Sequence, residues 1–258
     1  MWTIKSKTKW GEMMNYYAKT DIGKVRSKNQ DQASIIVNIK DQIVAVVCDG
    51  MGGHRSGEIA SRVVMEHVIS CFNCIPPFDN DSEVKKWLME TINEADIIVK
   101  KMAMQNIEHN GMGTTIVVAV FMNDMLYISH VGDSRAYILK NAKLVQVTKD
   151  HTLVNELIER GAISEEEGKN HSQKHVLMQA IGAETNLNPS LIELEFADSL
   201  LLLCSDGLYN SLDQTMIVEV LSKDLKVPKM VDELIDLANE HGGYDNIAVA
   251  IIDNREGK

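Results

Sequence analysis

The sequence predicts an α+β layered sandwich, with antiparallel strands packed together and bracketed by helices. Three observations predict it. The apolar runs TTIVVAVFM, MLYISHVG, RAYILK and KLVQVT are separated only by Asn123-Asp124, Asp133-Ser134 and Asn141-Ala142. Parallel neighbours need a crossover of a dozen residues or more, so these strands read as one antiparallel meander. Apolar residues recur at helical spacing in blocks on both sides of that run. No G-x-G-x-x-G follows the first strand, which argues against a doubly wound parallel sheet.

The elements follow in order. Strands are expected at 33–39 (ASIIVNI) and 42–48 (QIVAVVC), with Lys40-Asp41 as their turn. A helix from about residue 57 places Ile59, Ala60, Val63, Val64 and Val68 on one face. A second helix over about 83–105 carries the stripe Leu88, Ile92, Ala95, Val99 and Met102. The four strands of the meander come next. Residues 150–182 then interrupt the strands: HTLVNELIERG reads as a short helix, and Ser164 with Glu167 as a capping box. A strand pair is expected at 190–196 and 199–205. Two helices follow, the second starting at Pro228, a favourable first-turn residue, and ending at Gly242-Gly243. NIAVAII (246–252) is the last strand.

Composition narrows the function. The 258 residues are 45% hydrophobic, enough for a packed core without disulfides. We expect one domain over 1–258, with its core at about 15–253, and a monomer. The net charge of −11 excludes general binding to nucleic acid or anionic lipid, which rests on Lys and Arg. With 3 Trp, 6 Tyr and 4 Phe, the chain is also thin in stacking platforms for single strands. The longest apolar runs are strand-sized, so no membrane span is expected. MWTIKSKTKWGEMM has no apolar signal-peptide core. Cys48 and Cys204 sit in apolar runs as reduced thiols do, and the cytoplasm is the expected compartment.

Chemistry concentrates in carboxylates at strand ends: Asp49 in VVCDG, Asp133 in HVGDS, Asp206 in LLCSDG and Asp245 in GGYDN, with Asp31 just before the first strand. One Asp-Gly is ordinarily a turn. The same arrangement at several strand ends of one sandwich suggests convergence on one edge. Clustered carboxylates then need a compensating cation, and hard oxygen ligands suit Mg²⁺ or Mn²⁺. Asp49-Gly50-Met51-Gly52-Gly53-His54 runs from strand to helix, where missing side chains permit close backbone approach. No Gly-Lys-Ser/Thr follows, so it is not a nucleotide-phosphate loop. Arg26, five residues before Asp31, has the bidentate fork that holds a phosphate. Cys71-Phe-Asn-Cys74 has no further ligand at zinc-site spacing, and His171 and His175 lack an H-E-x-x-H frame. Neither pair is expected to bind metal. The fourteen methionines fill core gaps.

The stretches TDIGKVRSKNQD, VCDGMGGHRSGEIA, GMGTT, VGDSRAY, SDGL and YDNIAV resemble, in order and spacing, the signatures of the metal-dependent protein phosphatase family, the protein phosphatase 2C type, in its bacterial branch. They cover the chain from about 21 to 252. The resemblance implies a four-layer sandwich, with two antiparallel sheets flanked by helix pairs, and a two-metal site. It implies hydrolysis of phosphoserine and phosphothreonine in proteins by a metal-activated water. Asp49 would match the bridging carboxylate, and Gly50 would offer its carbonyl to the second Mn²⁺ or Mg²⁺ ion. Asp206 and Asp245 would complete the first ion's ligands, and Asp31 would act through bound water. Arg26 would hold the substrate phosphate, and Asp133 would serve a third, weaker metal site. Residues 150–182 would be the mobile flap, and a Ser/Thr kinase would oppose the enzyme.

Two positions depart from the pattern. Gln30 stands where the family often has Glu, which removes a charge beside Asp31 and weakens second-metal affinity. Met51 stands where animal relatives carry a His, so the leaving group takes its proton from another group or from water. Two other functions compete with this one. A catalytically silent phosphoprotein-binding relative would have lost metal carboxylates, yet Asp49, Asp206 and Asp245 are present. A two-metal nuclease would need a basic face.

Overall fold

The computed structural model describes residues 15–52, 56–183 and 187–255. Gly53 and His54 of the strand-to-helix loop, and the N-terminal stretch read for a signal peptide, lie outside the described residues. The elements in chain order are β1 (Asn15–Asp21), β2 (Asp31–Val37), β3 (Ile43–Met51), α1 (Ser56–Cys74), α2 (Asp81–Gln105), β4 (Gly113–Thr114), β5 (Ile116–Met122) and β6 (Met125–Val131). Then come β7 (Arg135–Lys140), β8 (Lys143–Gln146), α3 (Leu153–Glu159), α4 (Glu165–Lys169), β9 (Ser190–Glu195), β10 (Leu200–Cys204), α5 (Asp206–Tyr209), α6 (Gln214–Ser222), α7 (Val227–Glu240) and β11 (Ile247–Asp253).

These strands form two antiparallel sheets, β1-β11-β10-β7-β8 and β2-β3-β5-β6-β9, with the short β4 paired to β3. Strand periodicity builds the layers. In β3 the side chains of Val44, Val46 and Cys48 face a cluster with Val64 and Val68 of α1 and Leu88 and Ile92 of α2. The alternate residues Ile43, Ala45 and Val47 face the other sheet, against Leu201, Leu203, Ala248 and Ala250. The outer face of that second sheet, including Leu200, Leu202, Val249 and Ile251, is covered by α6 and α7 through Leu221, Val231 and Leu234. The result is the expected four-layer order: helix pair, sheet, sheet, helix pair. Among the described residues, no helix is long and apolar enough to cross a membrane.

Local signals hold at most boundaries. Asn80 caps α2 by accepting from the Glu83 N–H at 3.1 Å, and Ser164 and Glu167 form the capping box of α4. Asn123-Asp124 and Asn141-Ala142 have positive φ at both positions, the geometry of tight hairpin turns.

The meander is corrected. β5–β6 and β7–β8 are hairpins, but they belong to different sheets, and the chain crosses between sheets at Gly132-Asp133-Ser134. Gly132 bonds His151 rather than a hairpin partner: its carbonyl accepts from the His151 N–H at 3.0 Å, and its N–H donates to His151 Nδ1 at 3.3 Å. The expected strand pair at 190–196 and 199–205 is likewise split. β9 pairs with β6, whereas β10 pairs with β7 and β11. The sequence reading lacked β1, which pairs with β11 along its full length.

Candidate active site

Each candidate carboxylate stands where an element begins, ends or crosses. Asp31 opens β2 and lies opposite Asp49 in the β2–β3 register. Asp206 opens α5 directly after β10. Its neighbour Ser205 is stitched to β11: its N–H donates to the Ala248 carbonyl at 3.1 Å, and its Oγ accepts from the Ala248 N–H at 2.8 Å. Asp245 lies two residues before β11, and Asp133 sits at the crossing between sheets. One sheet therefore presents Asp31 and Asp49, and the neighbouring ends of the other present Asp206 and Asp245.

These residues meet at one edge of the sandwich. A cavity of about 480 Å³ is lined by Arg26, Asp49, Gly50, Asp133, Asp206 and Asp245, among others. Asp31 lies behind Asp49, only 2% exposed, with its carboxyl close to the Ser205 side chain and the Asp49 carboxyl. The carboxyl groups of Asp49 and Asp206 are close neighbours as well. No predicted site residue falls elsewhere.

The charges are unbalanced. Burial, then the neighbouring carboxylates, push the pKa values of Asp31 and Asp49 upward, and Asp206 is raised by burial and by Asp245. Asp133 is pushed up to about 7, chiefly by burial and then by Asp206 and Asp150. Among the described residues, Asp31 Oδ2 is buried with no hydrogen-bond partner. Carboxyl groups in contact need a shared proton or a shared cation. An orphaned buried oxygen in an all-oxygen donor set fits hard divalent cations.

The frame around the cavity is tight. An added Cβ on Gly50 would lie 2.3 Å from the Gly57 carbonyl oxygen and 2.6 Å from that of Gln30, so only glycine lets this strand-to-helix loop fold back on itself. Thr115 fixes Asp49 from the next strand, donating its N–H to the Asp49 carbonyl at 2.9 Å and accepting the Asp49 N–H at its Oγ1 at 3.0 Å. The Arg26 Nη2 donates to Asp245 Oδ2 at 2.8 Å on the rim of the cavity.

Two contributors were not singled out from sequence, Asn246 and Arg135, and a third, His175, was read only as part of the flap. Buried Asn246 donates to the carbonyls of Ile22 and Lys28 at 2.9 and 2.8 Å and accepts from the Gln30 N–H at 2.8 Å. It thereby holds the Arg26 loop against the Asp245 loop. Arg135 grips Asp150 with two nitrogens at 3.0 and 2.7 Å and stacks on Tyr209, whose hydroxyl donates to the Asp133 carbonyl at 3.1 Å. His175, from the 150–182 segment, lines the cavity with Leu177, Met178 and Gln179. That segment is laced to β4, where Thr114 and Ile181 exchange backbone hydrogen bonds at 3.1 and 2.9 Å. Asn246 follows Asp245 within one motif, so adjacency was its signal. Arg135 likewise follows Asp133 within VGDSRAY, but its bond to Asp150 carried no signal, and His175 was marked only by its place in the expected flap.

Known proteins resemble this chain over most of its length. A family model described as protein phosphatase 2C matches residues 24–246. A serine/threonine phosphatase of Listeria monocytogenes, stp, is 37% identical over 236 residues, covering 91% of this chain and 94% of its own. The solved serine/threonine phosphatase of S. agalactiae superposes with a TM-score of 0.88 at 35% identity, covering 93% of this chain and 99% of that one. The catalytic domain of the phosphatase PstP, solved in complex with two manganese ions, superposes at 0.79 with 32% identity over 93% of this chain and 97% of its own. By motif order, layer architecture and these likenesses, the chain belongs to the protein phosphatase 2C family of metal-dependent serine/threonine phosphatases.

Proposed function

We propose that Asp49, Gly50, Asp206 and Asp245 hold two divalent cations, Mn²⁺ or Mg²⁺, at which phosphoserine and phosphothreonine in proteins are hydrolysed, with Asp133 serving a third, weaker site. The observation that carries this reading is the meeting of four carboxylates around one cavity, with a fifth, Asp31, buried behind Asp49. Divalent cations bound there supply the positive charge that makes a water acidic and offsets the charge of the phosphate.

The chain's own groups do the rest. Asp49, in contact with both Asp31 and Asp206, joins the two halves of the donor set. Asp31 offers its unpartnered oxygen to a water and orients it. Arg26, anchored by Asp245 at the rim, turns its fork to the equatorial phosphate oxygens. Gln30 lines the cavity as a neutral acceptor, in keeping with weaker retention of the second ion. The sequence holds no Cys-x5-Arg loop for a covalent phosphoenzyme, so attack by water in one step is the economical route.

We also assign the chain to one domain and to a monomer, with its flap at 150–182 and a Ser/Thr kinase as its opponent. Four free cysteines suit a reducing compartment, the cytoplasm. The test is phosphate release from a phosphothreonine peptide, with Mn²⁺ and Mg²⁺ titrated separately. Asp206→Asn should lower kcat by on the order of 10²-fold or more with its circular dichroism unchanged. Full turnover by that variant in Mn²⁺ would refute the assignment. DNA as substrate should give no release.

A further inference from the structure

A second set of metal-ligating side chains lies in the α1–α2 helix layer. His67 and Cys71 are one turn apart on α1, and Glu94 reaches them from α2. The set stands roughly 15 Å along α1 from the Gly50–Gly57 contact, at the 1.5 Å rise of a helix. One donor atom from each of the three residues lies within 4.8 Å of the other two.

The spacing is informative. His67 Nε2 is 3.5 Å from Cys71 Sγ and 3.4 Å from Glu94 Oε2, and Nδ1 is 3.8 Å from the same sulfur. Ligands of one tetrahedral zinc, at about 2.3 Å for sulfur and about 2.0–2.2 Å for nitrogen and oxygen, stand about 3.5 Å (S to N) and about 3.4 Å (N to O) apart. A charge-assisted hydrogen bond from His67 to Glu94 would be shorter, about 2.7–2.9 Å. The sulfur thus lies beside the ring between its two nitrogens, and a turn of the His67 imidazole about its Cβ–Cγ bond would aim Nε2 at an ion shared with Cys71 and Glu94.

We propose that His67, Cys71 and Glu94 form a zinc-class site that clamps α1 to α2, with water in the fourth position. Binding releases the Cys71 proton to solvent and uses the neutral imidazole of His67. The sulfur, nitrogen and carboxylate donors select zinc over the hard cations suited to the Asp49 cavity. Sequence spacing concealed the site, because Cys74 drew attention to a C-x-x-C while the working pattern is H-x-x-x-C plus a residue from the next helix.

The test uses Co²⁺ as an optical probe on the full chain, with excess Mn²⁺ present to fill the Asp49 cavity. The wild-type protein should bind one Co²⁺ with a thiolate-to-cobalt charge-transfer band in the near ultraviolet, and Zn²⁺ should displace it at lower concentration. Cys71→Ser should abolish the band. Glu94→Gln, at an exposed position that the fold tolerates, should weaken Co²⁺ affinity by about 10-fold or more. Mn²⁺-dependent phosphatase activity should be unchanged in both variants. No band in the wild type, an undiminished band in Cys71→Ser, or unaltered affinity in Glu94→Gln would each overturn the proposal.

Discussion

At Gly50 the chain has no room for a single methyl group, because the Gly57 and Gln30 carbonyls already occupy that space. Gly50→Ala should destabilise the fold by about 3 kcal/mol, the upper end of ordinary overpacking, measured by urea unfolding. Its Mn²⁺ requirement should rise as well, since the shifted carbonyl is a proposed ligand. Asp49 and Asp206 were legible from sequence because each combines a strand end with a glycine. Ser205, Thr115 and Asn246 were not, because their work is to bond backbone atoms more than forty residues away. His67 was passed over for a related reason: Glu94 comes near it only once α2 has packed on α1.

Elements were legible in proportion to how cleanly their residues alternate. Helix α2 reads from its stripe alone, and Leu88 at its centre is completely buried. Leu88→Ala should cost about 2–5 kcal/mol, read as a lower thermal midpoint. β1 was missed because every residue in it is half-exposed, at the edge of its sheet, so no apolar alternation marks it. The split meander was illegible for a different reason. A short polar joint can close a hairpin or turn a corner between sheets, and here the pairing of β6 with β9 and of β7 with β10, with His151 bonded to Gly132 at the corner, makes it a crossing.

Across the whole molecule, the stacked rings of His130 and His151, 4.6 Å apart, couple the base of the 150–182 segment to the sheet crossing. Burial lowers both pKa values, that of His151 to about 4, with His130 adding to it. Above pH 6.5 both imidazoles are neutral in the folded and unfolded chain alike, and their contribution is fully present. As pH falls from 6.5 towards 4, the unfolded chain takes up protons that the folded chain refuses, and stability is lost. The stability advantage of the wild type over His151→Gln should therefore shrink across that window, measured by urea unfolding at each pH; an advantage that grows would contradict the sign. The sandwich itself was legible from its layers of apolar periodicity, whereas the partition of strands between sheets was not. That partition has a mechanical outcome. With Asp31 and Asp49 on one leaf and Asp206 and Asp245 on the other, the proposed ion site makes turnover a report on the alignment of the two leaves, and a small slip between them would then silence the enzyme long before it melted.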